Sequence, residues 1–202
     1  GDGLNQQQGA RITSQQAIDL QADQMQLGGE VNADGDLTLN AGMLTTQSTA
    51  QVQSGGNLKL AAQQATLNGT HAARGDLIVN ATTLNHNGKS NAARIALTAD
   101  SLNNHGTLVA PELSLSTQHL TNGGLLDGSR SLQLQTDLFD NLQGATLHSA
   151  GDLALSPARL NNAGLIASDG DLTLSGDSLF NRGEINAHNL SADYLDLHNQ
   201  QG

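Results

Sequence analysis

The sequence has no cysteine and no tryptophan, and its only aromatic residues of the Phe, Tyr and Trp kind are Phe139, Phe180 and Tyr194. Without cysteine, disulfides and thiolate metal sites are excluded. That fits the cytosol and equally fits a chain that crosses a membrane unfolded. A core without aromatic bulk must be thin and regular. No apolar run reaches the length of about eighteen residues that a membrane-spanning helix needs. Positive charge is scarce too: 8 Lys and Arg face 19 Asp and Glu, for a net charge of −11 and no basic patch. This argues against nucleic acid or an anionic membrane as a partner. The opening residues GDGLNQQQGA lack the charged and apolar regions of a signal peptide.

What the sequence does contain is 23 glycines and an excess of Leu, Ala, Asn, Ser, Thr and Gln, arranged in a repeat. Leu172 anchors the unit Gly170–Ala187, GDLTLSGDSLFNRGEINA. Its counterparts are Ile18, Leu37, Leu58, Leu77, Ile95, Leu113, Leu132, Leu153 and Leu190, and successive anchors are 19, 21, 19, 18, 18, 19, 21, 19 and 18 residues apart. A fixed period of this length marks a stacked repeat architecture.

Within each unit, aliphatic and polar residues alternate as in a strand, so Leu172 and Leu174 point to one face. A small residue follows, as at Ala22, Ala41, Ala62, Ala81 and Gly176, where the chain turns a corner. The next inward position, seven beyond the anchor, holds Met25, Leu44, Leu84, Phe139 or Leu179, with Ala65 its weak member. Two residues later comes Asn104, Asn122, Asn141, Asn162, Asn181 or Asn199, then a glycine such as Gly88, Gly106, Gly144, Gly164 or Gly183. Three short strands and three bends close one turn. The expected fold is all-β: a right-handed parallel β-helix (solenoid) of about ten coils with a period near 19 residues, its hand following the rule for parallel crossovers. Each coil depends on its neighbours. The asparagines are expected to form an inward ladder that bonds bend to bend along the stack.

Leu4, Asn5, Gly9 and Ile12 echo Leu160, Asn161, Gly164 and Ile166, so the N-terminus reads as the second half of a unit. Residues 1–202 are expected to be a single β-helical segment internal to a longer protein, with 1–15 a partial first coil and 188–202 a last, less regular one. Capping is expected from sequence beyond either end, and Tyr194 in the corner column marks a departure from the pattern. The longer steps after Leu37 and Leu132 predict outward bulges within Thr45–Gln51 and around Leu142–Ala145. The least regular stretch is Ala65–Ala92, where His71 and Ser90 stand near positions held elsewhere by Ile, Val or Leu, and His86 takes the asparagine position.

Chemistry-bearing motifs are few. Arg74-Gly75-Asp76 is an RGD tripeptide, the one candidate for receptor binding. Yet Gly35-Asp36, Gly56-Asn57, Gly151-Asp152 and Gly170-Asp171 occupy the same place, so Gly75-Asp76 belongs to the repeat's own turn. Asp152 and Asp171 should stack on adjacent coils, along an edge and not across a substrate, which disfavours paired-carboxylate catalysis. His86 and His105 fall near one bend without a third metal ligand. Asn68-Gly69-Thr70, Asn80-Ala81-Thr82 and Asn189-Leu190-Ser191 match glycosylation acceptors in a composition that produces such triplets by chance. No catalytic residue, cofactor or metal site is expected.

Written as G-D-L-x-L-x-A-x-x-L-x-N-x-G-x-I-x-A, the unit resembles the haemagglutinin repeats of the filamentous haemagglutinin family. Gly170–Ala187, Gly151–Ala167 and Ala92–Ala110 match best, some form of the unit covers nearly the whole chain, and the coils at Leu58 and Leu77 depart from it. That family consists of very large bacterial exoproteins exported by two-partner secretion, including adhesins and contact-dependent inhibition effectors. The resemblance implies a length of structural shaft, secreted or on a Gram-negative cell surface, that projects adhesive, receptor-binding or toxin domains. It implies an outer-membrane two-partner secretion transporter as the partner during export, and no membrane insertion of the segment itself. The alternative is that the segment is an adhesin module, binding a cell-surface receptor or glycan through Ala65–Ala92 or a ladder along one face. No stretch resembles the family's N-terminal secretion domain or a C-terminal toxin.

Overall fold

Alternation along each unit becomes strand pleating, and the period becomes a parallel stack. The computed structural model describes residues 3–200, which form an all-β parallel solenoid: 21 strands in one continuous sheet, with no helix among the described residues. Coils are numbered here from their anchors, coil 1 at Ile18 and coil 10 at Leu190. Register joins equivalent positions throughout, as in Ile18↔Leu37↔Leu58↔Leu77↔Ile95↔Leu113↔Leu132 and Leu153↔Leu172↔Leu190. At the spacing of about 4.8 Å between paired strands, ten coils make a rod of roughly 50 Å.

A coil contains a long strand and a short one, for example Ile18–Leu27 with Glu30–Ala33, and Leu37–Thr46 with Gln51–Ser54. The long strand is two of the three expected short strands joined at the first corner. Register runs through Ala22↔Ala41, passes over Asp23 and Gly42, and resumes at Gln24↔Met43. With only a methyl inside the bend, the chain changes direction while its backbone bonds to the next coil continue.

Three inward columns fill the core. The anchors and their second partners, such as Leu37, Leu39, Leu58 and Leu60, line one wall, and Met25, Leu44, Ala65, Leu84, Leu102, Leu120, Phe139, Leu160 and Leu179 line the next. The short strands supply the third column, Ile12–Val31–Val52–His71–Ser90–Leu108–Leu126–Leu147–Ile166–Ile185. On the outer face of coil 10, Leu190 and Leu197 are about half exposed, at 52% and 48%. Tyr194, expected to mark a departure, pairs with Gly176 in a register that runs from Asp171↔Asn189 to Asn181↔Asn199.

The extra residues of the longer steps form outward turns at Gln47–Ala50 and Leu142–Ala145, each closed by a backbone bond of 3.0 Å between the terminal pair. A third such turn, Gln7–Ala10, lies before the first anchor. These turns correct the glycine column. Gly144 lies in an outward turn with φ of 81°, as does Gly9 with 80°. The residue aligned with Gly124 and Gly164 is Ala145, shown by the bonds Thr146 N–H to Gly124 O and Leu165 N–H to Ala145 O. The column glycines themselves need no positive φ. They are glycine because the coils stack too closely there: a Cβ on Gly106 would collide with the carbonyl oxygen of Gly88, and one on Gly124 with that of Gly106.

Candidate functional site

The polar side chains of this rod are organised into columns. In coils 5 to 10 the six predicted asparagines are brought together as a single chain of side-chain hydrogen bonds. Each Nδ2 donates to the Oδ1 one coil further on: Asn104 to Asn122 (2.9 Å), Asn122 to Asn141 (2.9 Å), Asn141 to Asn162 (2.8 Å), Asn162 to Asn181 (2.8 Å) and Asn181 to Asn199 (2.8 Å). The second amide proton goes to a backbone carbonyl of the next coil, as from Asn122 to Thr146 O (3.1 Å) and from Asn141 to Leu165 O (3.1 Å). Asn104, Asn122, Asn141 and Asn162 are buried, and this arrangement satisfies amides that would be costly unpaired.

Toward the N-terminus the same column reads Gln6, Leu27, Thr46, Leu67, His86. Polar members two coils apart cannot touch, so they find partners differently. Gln6 reaches past Leu27, its Nε2 donating to Glu30 O (2.8 Å) and its Oε1 accepting from Gly29 N–H (3.2 Å). Thr46 turns across the core to His71 in the column opposite (3.0 Å). Ser90 stands above His71 (3.5 Å), His86 Nε2 meets Ser90 Oγ (2.8 Å), and His86 Nδ1 meets Asn104 Oδ1 (2.8 Å). His71 and His86 are 0% and 1% exposed. Burial is the main reason their pKa values fall, to about 3 for His71 and about 4 for His86. His86 is therefore a core residue, whereas His105 at the neighbouring bend is exposed.

The turns before Leu37, Leu58 and Leu153 have a column of their own, whose logic the sequence pattern did not show. Asp or Asn side chains there accept the backbone N–H one coil on: Asn57 N–H to Asp36 Oδ1 (2.8 Å), Asp76 N–H to Asn57 Oδ1 (2.9 Å) and Asp171 N–H to Asp152 Oδ1 (2.9 Å). Asp152 and Asp171 thus stack as anticipated. Arg74 is exposed, but the Asp76 carboxylate is ion-paired with Arg94 of the next coil, and a Cβ on Gly75 would strike the Asn57 side chain. Arg130 and Glu112 form a further pair (3.2 Å). On another outward face His148 bridges Asp127 (2.7 Å) and Asp169 (3.4 Å), and the hydrogen bond to Asp127 raises its pKa above the ordinary value. No group of three or more His, Cys, Asp or Glu side chains placed to hold a metal occurs among the described residues.

One concave surface follows the rod. Ala22, Ala41, Ala62 and Ala81 floor an open trough of about 740 Å³, walled by Gln21, Asn40, Gln63, Asn80, Thr82 and Thr98. In coils 6 and 7 the corner residue is a threonine that turns back on the chain. Thr117 donates to Asp100 O and His119 O, and Thr136 to Gln118 O and Leu138 O.

Fold and columns together define a repeat-built parallel β-solenoid that recruits its polar side chains into coil-to-coil bonding. The chain belongs to the haemagglutinin repeat family, whose model matches residues 13–119, 94–176 and 157–199. It is similar to "Toxin CdiA" of Escherichia coli and to "tRNA nuclease CdiA" of Escherichia coli O6:K15:H31 (strain 536 / UPEC). Each is 41% identical over 165 residues, which is 82% of this chain and 5% of theirs. No solved structure matches the chain.

Proposed function

We propose that this chain is a length of structural shaft in a large two-partner secretion exoprotein, of the kind that includes contact-dependent inhibition effectors. It projects adhesive, receptor-binding or toxin domains and has no catalytic role of its own. The observation that carries this reading is the parallel register, which keeps one cross-section from Gly3 to Asn199 and recruits interior and turn side chains into coil-to-coil bonds. Its place is the secreted or cell-surface fraction of a Gram-negative bacterium, and its export partner is an outer-membrane two-partner secretion transporter. Removing residues 37–76 excises two whole coils in register. Such a deletion in the parent exoprotein should shorten its reach from the cell, seen by electron microscopy, by about 10 Å at the strand spacing, and leave delivery or adhesion by the distal domains intact. Loss of target-cell binding with the distal domains still displayed would overturn the reading.

The trough favours a second reading, in which the segment itself binds a receptor or glycan. It supplies amide and hydroxyl groups at regular intervals along the rod. Binding of the isolated 202-residue chain to target cells, abolished by bulky substitution at Ala41 and Ala62, would establish it.

A further inference from the structure

The core between coils 2 and 5 holds two titratable side chains that the shaft reading does not need. Their hydrogen-bond roles can be assigned by elimination. Thr46 Oγ1 accepts from the backbone N–H of Asn68 (3.1 Å) and Gly69 (3.4 Å), so its own proton points to His71 Nε2. A neutral His71 then carries its proton on Nδ1 and donates to Ser90 Oγ, whose proton goes on to His86 Nε2. His86 carries its proton on Nδ1 and donates to Asn104 Oδ1, which starts the asparagine ladder. Donation passes in one sense from Thr46 to Asn104, with Ser90 handing back to His86 inside a single coil, and each imidazole has one donor and one acceptor role. A second proton on either ring would set donor against donor inside the apolar core.

We infer that the Thr46–His71–Ser90–His86–Asn104 chain is an acid-sensitive joint, which holds coils 2 to 5 together only while both imidazoles are neutral and lets mild acid open this stretch before the asparagine-laddered half. Nothing inside the core offsets an added charge. Among the described residues, the side chains aligned with these rings or bonded to them are Val52, Leu67, Ser90, Thr46 and Asn104, and the only titratable group facing each ring is the other ring. The charged side chains of the same strands, Lys59, Asp76, Lys89, Arg94, Asp100 and Glu112, are not buried. Asparagine does not titrate, so coils 6 to 10 lack this liability in their ladder.

The direction follows from linkage. A base whose folded pKa is depressed binds more protons when its site opens. The joint is therefore intact above the ordinary value of 6.5 and weakens as pH falls below it, toward the folded values near 3 and 4. Between pH 7.5 and 5.0, an opening that exposes one histidine becomes favoured about 30-fold, and one that exposes both approaches a thousandfold.

Amide hydrogen exchange read by mass spectrometry on the 202-residue chain at pH 7.5 and 5.0, corrected for intrinsic exchange rates, tests this. The opening constants of Thr70–Ala73, Lys89–Asn91 and the flanking halves of Leu58–Leu67 and Asp76–His86 should rise far more than those of Leu138–Asn141 and Arg159–Asn162. The variant His71→Val, Ser90→Val, His86→Asn places the residue types of each column at these positions, and should abolish the regional difference. A uniform rise along the rod, or a variant that keeps the wild-type pH response in these strands, would overturn the joint. If the variant does not fold, the regional comparison within the wild-type chain decides alone.

Discussion

Coils 6 to 10 and coils 2 to 5 face the same problem, which is how to place polar groups in a core too thin to hide them. The C-terminal half repeats one answer, an asparagine whose two amide protons and one oxygen are consumed by the coil above and the coil below. The N-terminal half alternates Leu27, Thr46, Leu67 and His86 in that column and sends its bonds sideways to His71 and Ser90. A ladder of identical groups is tolerant of position, since any coil can follow any other. A chain of five side chains that crosses between two columns fits only one order of coils. Regular repeats therefore gain interchangeability, and the irregular region gains a fixed register at the cost of a titratable core.

The largest effect should come from breaking the ladder in its middle. Asn141→Leu removes an acceptor from Asn122, a donor from Asn162 and the bond to Leu165 O. With these buried groups unpaired, a loss of about 3 kcal/mol is expected in urea unfolding. Thr46→Val in the other half strands His71 Nε2 and weakens the support of Asn68 N–H, but touches one ring and one bend. Its cost should be smaller, about 2 kcal/mol. The reverse order would show that the cross-column network, not the ladder, holds the stack.

Glycine sharpens the comparison between column and turn. Gly106→Ala drives a Cβ onto the Gly88 carbonyl and should cost about 2 kcal/mol, because backbone must move. Gly144 has open space around it and φ of 81°. Gly144→Asn should be nearly neutral and Gly144→Ala should cost about 1 kcal/mol, since only the left-handed conformation is at stake. Thermal unfolding of the three variants separates collision from conformation.

The period made most of the fold legible. Anchors, second aliphatics and the asparagine column occupy the aligned places expected of them, because each position meets its own copy one coil away and burial constrains both alike. Gly144 misled by one residue, since an outward turn holds a glycine for its own conformational reason beside the true column member, Ala145. The role of Asp36, Asn57 and Asp152 was not legible, because an acceptor for the next coil's backbone N–H leaves no partner residue in the pattern. The His71–Ser90–His86 network was visible only as irregularity. Its bonds join two different columns, and a one-column reading has no way to pair them.

A third histidine should respond oppositely to the buried pair. His148 gains Asp127 and Asp169 on folding, and its raised pKa means that its contribution is fully present below about 6.5 and is lost as pH rises through the folded value. It lies at a partly exposed surface, so solvent screening holds the effect to a few tenths of a kcal/mol. His148→Ala should lower the unfolding midpoint slightly at pH 5.5 and leave it unchanged at pH 8.5. A larger effect at pH 8.5 would mean that packing, not charge, is what His148 supplies.

A comparably small effect is expected at the tripeptide that stands out most in the sequence. Asp76 is held twice, its carboxylate by Arg94 and its backbone N–H by Asn57, as a member of the turn column shared with Asp36 and Asp171. Asp76→Ala breaks one half-exposed ion pair and should cost less than about 1 kcal/mol. Arg74→Ala removes an exposed side chain with no ion-pair partner among the described residues and should cost less still. Binding of the 202-residue chain to target cells should be the same for wild type and both variants. A receptor that needs the Asp76 carboxylate would have to displace Arg94 first, so a loss of binding in Asp76→Ala that Arg94→Ala does not reproduce, but instead reverses into a gain, would show that the ion pair masks a site.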